Sequence, residues 1–153
     1  MPPLGTSLTD PTAINLFSQW ITNGLSNYRS FADWQTSNFG STNAPNARAD
    51  ADPDADGANN YLEFLTGTNP LQAGDAWTIG ISLAETGPQI SFPRIANRAF
   101  EVQWTTNLSN LNSWSPLDVP GNASLFSITN SQQSVSDLLA APSKFYRVQV
   151  REP

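Results

Sequence analysis

Residues 52–63 carry the sequence feature that most restricts the fold of this chain. They read DPDADGANNYLE and match the pattern D-x-D-x-D-G-x5-E at every specified position. Alternate residues of a tight loop point inward, so three aspartates spaced two apart can converge on one hard cation. Gly57, at the sixth position, permits the positive φ that the sharp turn requires. The spacing therefore predicts a calcium-binding loop that leads directly into a helix.

The pattern assigns a coordinating role to six residues. The expected ligands are carboxylates at loop positions 1, 3 and 5, a backbone carbonyl at position 7, a direct or water-mediated amide at position 9 and a bidentate carboxylate at position 12. In that order they are Asp52, Asp54, Asp56, Ala58, Asn60 and Glu63. Asp50 is expected to lie outside the ligand sphere or in solvent, and a second ion beside it stays open. The alternative interpretation is a solvated acidic loop without a metal.

The composition limits the classes of partner and of chemistry. The formal net charge is −6 and the seven Lys and Arg residues are scattered, so we expect no surface for nucleic acid or anionic membranes. The chain has neither cysteine nor histidine, which removes thiolate chemistry and the usual nucleophile–base pairs. The spacing of Glu101 and Asp118 does not favour a pair of glycosidase acids. We therefore expect a protein that is not an enzyme.

The sequence also favours an exported setting. No apolar run approaches the roughly 18 residues of a membrane span. Residues 1–11, MPPLGTSLTDP, lack the basic start and apolar stretch of a secretion signal. A polar, weakly charged surface and an acidic site suited to abundant extracellular calcium indicate a secreted or cell-surface protein. The signal would then lie upstream of this chain.

Hydrophobic periodicity divides the chain into a helical part, residues 1–75, and a β part, residues 76–153. Three helices are predicted in the helical part, because apolar residues recur at helical spacing between capping residues and glycines. The first helix is expected to begin at the cap Asp10 and to end at Gly24, and the second to begin at the cap Ser30 and to end at Gly40. The third follows the loop and ends at Gly67.

Short helices need a partner surface, because they are marginally stable alone. We expect Phe31 and Trp34 of the second helix to cover an apolar face of the third helix. That face would consist of Tyr61, Leu62 and Leu65. The helical part is thus predicted to pack as one unit around the calcium loop.

The β part shows alternation of apolar with small or polar residues. The alternating segments are residues 77–83, 90–92, 100–104, 126–128 and 146–150. About seven short strands at this spacing are typical of a β-sandwich, and we expect a fibronectin III or immunoglobulin-like topology. Pro93 is expected on an edge strand or at a bulge. The predicted fold class is therefore α+β in two parts, a helical calcium-binding segment followed by an all-β sandwich.

The order of motifs in residues 30–153 resembles a known family. The helix containing FADW precedes the acidic loop, and segments FEVQWTTNLSNLNSW and KFYRVQV follow at residues 100–114 and 144–150. This arrangement resembles a C-terminal region of secreted Verrucomicrobia and Planctomycetes proteins, whose calcium loop is of the thrombospondin type 3 or dockerin sort (EF-hand-like). The resemblance implies a non-catalytic tail on exported bacterial proteins.

The first 24 residues resemble a different family. MPPLGTSLTDPTAINLFSQWI is similar to the end of a bacterial c-type cytochrome domain, which implies that Met1 would be the distal haem ligand. Haem attachment needs C-x-x-C-H, and this chain has neither residue type. The chain is then either the C-terminal fragment of a secreted haem protein or carries a relic, and a start methionine also explains Met1. We expect no haem in this chain.

The leading functional hypothesis is a calcium-stabilised structural module that acts through protein–protein contact, with domains of its parent protein or with copies of itself. Residues 89–95 and 144–151 carry few charges and are expected to be edge strands open to pairing. The alternative is a carbohydrate-binding module of a secreted enzyme. Its candidate residues are Trp77, Trp104, Trp114 and Tyr146. Trp77 and Trp104 are in phase with apolar neighbours and are expected in the core, whereas Trp114 is expected to be partly exposed.

Overall fold

The computed structural model describes residues 10–25, 28–138 and 143–153. The predictions for Met1 and the rest of residues 1–9 lie outside the described residues. The described residues form a mixed α+β structure with three short helices: α1 Pro11–Leu25, α2 Phe31–Phe39 and α3 Asn60–Thr66. A 3-10 turn, Pro45–Ala47, lies between α2 and α3. None of the described helices is long and apolar enough to cross a membrane.

The helices begin at side-chain caps. Asp10 Oδ1 accepts hydrogen bonds from the N–H groups of the first turn of α1, and Ser30 Oγ accepts one from Asp33 at the start of α2. Asn59 caps α3 by accepting from the N–H of Leu62 at 2.9 Å. Each cap satisfies backbone donors that have no partner inside the helix. The predicted start and end of α2 and the predicted end of α3 at Gly67 are confirmed. α3 begins at Asn60, inside the loop rather than after it, and α1 continues through Gly24.

The β part contains two antiparallel three-stranded sheets. The strands are β1 Gly80–Ala84, β2 Gly87–Arg94, β3 Ala99–Thr105, β4 Ser115–Pro116, β5 Ser131–Ser136 and β6 Phe145–Arg151. The order is β1-β2-β5 in the first sheet and β4-β3-β6 in the second. β2 and β3 are therefore the central strands.

Both sheets contribute to one hydrophobic core. Ile90, Phe92 and Val135 come from the first sheet, and Phe100 and Val102 come from the second, all at most 3% exposed. Burial of apolar surface of this kind is the main favourable contribution to folding. The core thus lies between β2 and β5 on one side and β3 on the other.

Two strand predictions in the β part are wrong. Residues 126–128 form no strand: Phe126 makes only an isolated bridge with Ala99 and is 53% exposed. β5 was missed, because its sequence SQQSVS shows no apolar alternation and Val135 is its only buried residue. β5 is held in the sheet by pairing with β2, whose own residues alternate between buried and half-buried positions. Among the described residues the strands number six rather than about seven.

The prediction that residues 89–95 form an edge strand is also wrong, since β2 is central. β1 pairs with β2 only as far as Ser91, so at Pro93 the strand has β5 as its one neighbour. Proline has no backbone N–H to donate, and on the side of β2 that β1 does not reach, no partner strand needs one. The second predicted edge, β6, does lie at the edge of its sheet.

The helical part packs around aromatic residues of α2 and α3. Trp34 is 6% exposed and lies 6.1 Å, centroid to centroid, from Phe64; Phe31 lies 5.3 Å from Phe64. One member of the predicted apolar face is wrong, because Leu62 is 42% exposed, whereas Phe64 is buried at the centre of the contact. One side of α3 carries residues at i, i+3, i+4 spacing, namely Tyr61, Phe64 and Leu65. Leu62 points to another side of the helix.

The helical and β parts meet at the C-terminal end of β6. Glu152 accepts hydrogen bonds from Tyr28 at 2.6 Å and from Tyr61 at 2.5 Å. The guanidinium of Arg98, which is 5% exposed, lies 4.3 Å from the ring centroid of Phe64. These contacts fix α3, the helix that leaves the acidic loop, against the second sheet.

Candidate metal site

The three aspartates of the acidic loop converge as predicted. Carboxylate oxygens of Asp52, Asp54 and Asp56 all lie within 4.8 Å of one another, a grouping that could hold a metal ion. Gly57 has a φ of 97°, as its position in the pattern requires. Ala55 also has a positive φ, 60°, which the pattern did not predict. The tight turn brings alternate side chains to one side of the loop.

Hydrogen bonds within the loop order these carboxylates. Asp52 Oδ2 accepts from the N–H of Gly57 at 3.0 Å, and Asp54 Oδ1 accepts from the N–H of Asp56 at 3.3 Å. Asp56 Oδ1 accepts from the N–H of Ala58 at 2.7 Å, so the half-buried Ala58 lies beside the cluster. One oxygen of each carboxylate is thus used to shape the loop. The second oxygen of Asp54 is buried without a hydrogen-bond partner among the described residues.

Glu63 is the most unusual side chain of the site. It is 0% exposed, and neither carboxylate oxygen has a hydrogen-bond partner in the described part of the chain. Buried polar groups in folded proteins are almost always paired, and buried carboxylates need a counter-charge. Glu63 is held on α3 by the bond from its N–H to the carbonyl of Asn59. It lies outside the set of three converging aspartates.

The electrostatics of Glu63 reflect this placement. Burial, followed by the negative charges of Asp54, Asp56 and Asp52, raises its pKa from an ordinary value of 4.5 to about 7. Asp75 contributes in the same direction and was not predicted from sequence; its carboxylate accepts from the N–H of Asn69 at 3.0 Å. No sequence signal marks Asp75, because it approaches Glu63 only in the fold. The site concentrates negative charge around a buried acid.

Asn60 has a structural role that the ligand pattern did not indicate. Its side chain is 0% exposed, and Nδ2 donates to the carbonyls of Asn46 and Arg48, each at 2.6 Å. Its N–H donates to the carbonyl of Ala51 at 2.8 Å. Asn60 thereby ties the start of α3 to the chain that enters the loop. Its Oδ1 is buried and has no partner among the described residues.

Asp50 lies apart from the converging aspartates. Its carboxylate pairs with Arg48 at 3.0 Å, and both side chains are 71% exposed. The hydrogen bond from Arg48 lowers the pKa of Asp50. This placement agrees with the solvent-facing role expected of Asp50.

Two of the four aromatic candidates for sugar binding, Trp104 and Tyr146, lie opposite each other on the neighbouring strands β3 and β6. The four candidates are Trp77, Trp104, Trp114 and Tyr146. Trp77 stacks on Phe100 at 6.0 Å between ring centroids and, like Trp104, packs against the core, as expected. Trp114 is half-buried, as expected, and the guanidinium of Arg147 lies 4.4 Å from its ring centroid. Tyr146 donates its hydroxyl to Asp137 at 2.8 Å.

Known proteins add no assignment to this geometry. No protein-family model, curated protein or solved structure matches the chain. The interpretation of the site therefore depends on the residues themselves.

Proposed function

We propose that this chain is a calcium-stabilised, non-catalytic module of an exported bacterial protein and that it acts through protein–protein contact. The observation that carries the proposal is Glu63, a fully buried carboxylate without a hydrogen-bond partner in the described chain, beside three converging aspartates. A divalent cation supplies the counter-charge that such a group needs.

The donor set favours calcium over other cations. All of the proposed ligand atoms are oxygens: those of Asp52, Asp54, Asp56 and Glu63, the carbonyl of Ala58, and Asn60 directly or through water. Calcium accepts six to eight oxygen ligands in flexible geometry, whereas magnesium demands a tight octahedron and retains its waters. Zinc and other transition metals prefer imidazole or thiolate ligands, which this chain lacks.

The fold supports a structural role. We propose that the two sheets, which share one core, form a fibronectin III or immunoglobulin-like sandwich. The sandwich would be the domain of residues 76–153, and residues 1–75 would form a separate helical domain. The possible acid pair of a glycosidase gains no support, since Glu101 accepts from Gln103 at 3.0 Å and no described contact joins it to Asp118. An exposed apolar strand, β1, favours protein–protein contact over sugar binding.

Calorimetry of chelator-treated protein tests the metal assignment. We expect binding of one calcium ion at or below millimolar concentration, with an affinity reduced at least about tenfold by Glu63→Gln because the bidentate ligand is lost. Glu85→Gln, at an exposed acid outside the loop, is the matched control and should bind as the unaltered protein does. Absence of binding heat, or equal losses in both variants, would contradict the assignment.

A glycan array tests the protein–protein part of the proposal. We expect no glycan to bind, because the candidate aromatic rings are covered by the core or by basic side chains. Binding of a defined glycan that Trp114→Ala abolishes would instead support a carbohydrate-binding module.

A further inference from the structure

Strand β1 presents an apolar row that the core does not cover. Ile81 lies opposite Ile90, which is 1% exposed, so both side chains are on the core face of the sheet. Ile81 is nevertheless 64% exposed, and Leu83 on the same face of β1 is 84% exposed. Ile79, directly before the strand, is 44% exposed. The first sheet therefore extends beyond the core at β1. Three aliphatic side chains that the alternation marks as interior remain in contact with solvent.

The backbone of β1 is also open. Among the described residues β1 pairs only with β2, and its other edge has no strand beside it. Natural edge strands are usually guarded by charges, prolines or bulges. Residues 78–84, TIGISLA, contain no charge and no proline, whereas the β6 edge carries Arg147 and Arg151. β1 thus combines an unpaired hydrogen-bonding edge with an uncovered apolar face.

We propose that two copies of this chain pair through antiparallel β1 strands, which joins their first sheets into one six-stranded sheet across a twofold axis. The register we assign centres on Ile81, so that Ile81 lies opposite Ile81 of the second copy and Ile79 lies opposite Leu83. This pairing deepens the protein–protein contact of the proposed function and rests on it in that respect.

Charge identifies a second copy as the occupant. An uncharged strand offers nothing for a basic or acidic partner to recognise, but it is complementary to itself, since each neutral apolar position meets another. The nearest acids lie outside β1: Glu85 is in the turn that follows the strand, and Asp75 lies five residues before it. Like charges placed opposite each other, which would destabilise such a pair, are absent from the register.

The contact is small and should form a reversible dimer. A short strand pair and its side chains fall in the class of transient interfaces, which bury less than about 1,200 Å². We therefore expect dimer formation to depend on protein concentration. Sedimentation velocity over a concentration series measures it directly, and a monomer at every concentration overturns the proposal.

Disulfide trapping tests the register. The chain has no cysteine, so a single introduced thiol reports on one position. Facing residues of antiparallel strands have Cα atoms about 4.5–5.5 Å apart, within the span of a disulfide. Ile81→Cys should therefore oxidise to a covalent dimer, whereas Leu111→Cys, at a leucine that is more exposed (81%), should stay monomeric. Equal rates of cross-linking in the two variants overturn the proposal.

Charge substitution tests the surface. Leu83→Lys places a cation in the apolar row and should weaken the dimer at least about tenfold, since burying an unpaired charge against apolar side chains is unfavourable. Leu111→Lys is the control for added charge, and Phe17→Lys is the control for the exposed face of α1. All three sites are solvent-exposed, so each variant should retain its melting temperature. A dimer that resists Leu83→Lys but is lost with Phe17→Lys would assign the contact to α1 and overturn ours.

The same samples separate this inference from the calcium proposal. Melting temperature with calcium and with chelator reports the metal site, and sedimentation reports the β1 contact. A protein that calcium stabilises but that stays monomeric would contradict the β1 pairing and leave the metal assignment standing. A dimer that forms through β1 in a protein that binds no calcium would remove the metal assignment alone.

Discussion

At the scale of single residues, Glu63 is the side chain that most favours the proposed cation. Helix α3 carries this carboxylate into the interior, where burial and neighbouring aspartates raise its pKa to about 7. An ionised acid in that position costs free energy unless a positive charge compensates it. The proposed calcium ion supplies that compensation. Stability of the loop is therefore expected to depend on both calcium and pH.

In chelator, the protein should lose stability as the pH rises from about 4.5 to about 7. The folded state holds the Glu63 proton more tightly than the unfolded state does, so between the two pKa values it binds more protons, and unfolding becomes easier as the pH increases. Denaturant unfolding across this range, with and without calcium, measures the effect.

Glu63→Gln removes the titrating group and serves as the control for that pH series. The variant should lose less stability over the same range in chelator. Calcium should suppress the loss in the unaltered protein, because the ion favours the ionised form. A loss of equal size in the variant would assign the pH dependence to other groups.

At the scale of elements, α2 and α3 depend on each other. Nine and seven residues are too few for a stable isolated helix, so their caps and glycine termini define the ends while packing supplies most of the stability. Trp34 on α2 and Phe64 on α3 form the centre of that contact. Gln35 of α2 also donates a hydrogen bond to the carbonyl of Ala47, in the segment that leads into the loop.

Trp34→Ala should lower the free energy of unfolding by about 3–5 kcal/mol, the usual cost of removing a buried large aromatic side chain. Chemical denaturation in saturating calcium measures it. Phe17→Ala is the matched control, since Phe17 on α1 is 65% exposed and its removal should change stability by no more than about 0.5 kcal/mol. If Trp34→Ala leaves the free energy of unfolding unchanged, α2 does not support the loop.

At the scale of the whole molecule, the acidic loop is connected to the second sheet. Tyr61 lies at the end of the loop, in the first turn of α3, and donates a hydrogen bond to Glu152, which lies directly after β6. Val150 of β6 contacts both the core of the sheets and the buried cluster of the helices. Calcium binding in the loop should therefore stabilise part of the β domain as well.

Hydrogen exchange provides the test of this connection. At a calcium concentration one hundred times the dissociation constant, binding adds roughly 2.7 kcal/mol to stability. We expect amide exchange to slow in β6 as well as in the loop. Glu152→Ala removes the acceptor of two tyrosines, and it should reduce the slowing in β6 while leaving that in the loop. Equal slowing of β6 in the variant and the unaltered protein would contradict the connection.

Local sequence determined the ends of α2, the end of α3 and the geometry of the loop. These features act over a few bonds, so their effect can be predicted without knowledge of distant residues. They are the cap at Ser30, the left-handed glycines Gly40 and Gly67, and the aspartates spaced two residues apart. The strands β2, β3 and β6 were likewise predicted because their alternation is strong.

Only the tertiary structure decided the remaining features, because they depend on residues far apart in the chain. β5 is a strand because β2 lies beside it, although its own residues are mostly polar. The aliphatic row of β1 stays exposed because the core ends beneath it, a fact that alternation alone cannot convey. Asp75 approaches Glu63, and Glu152 meets Tyr61, through folding alone. Periodicity shows which face of an element is apolar, but packing decides whether another element covers that face.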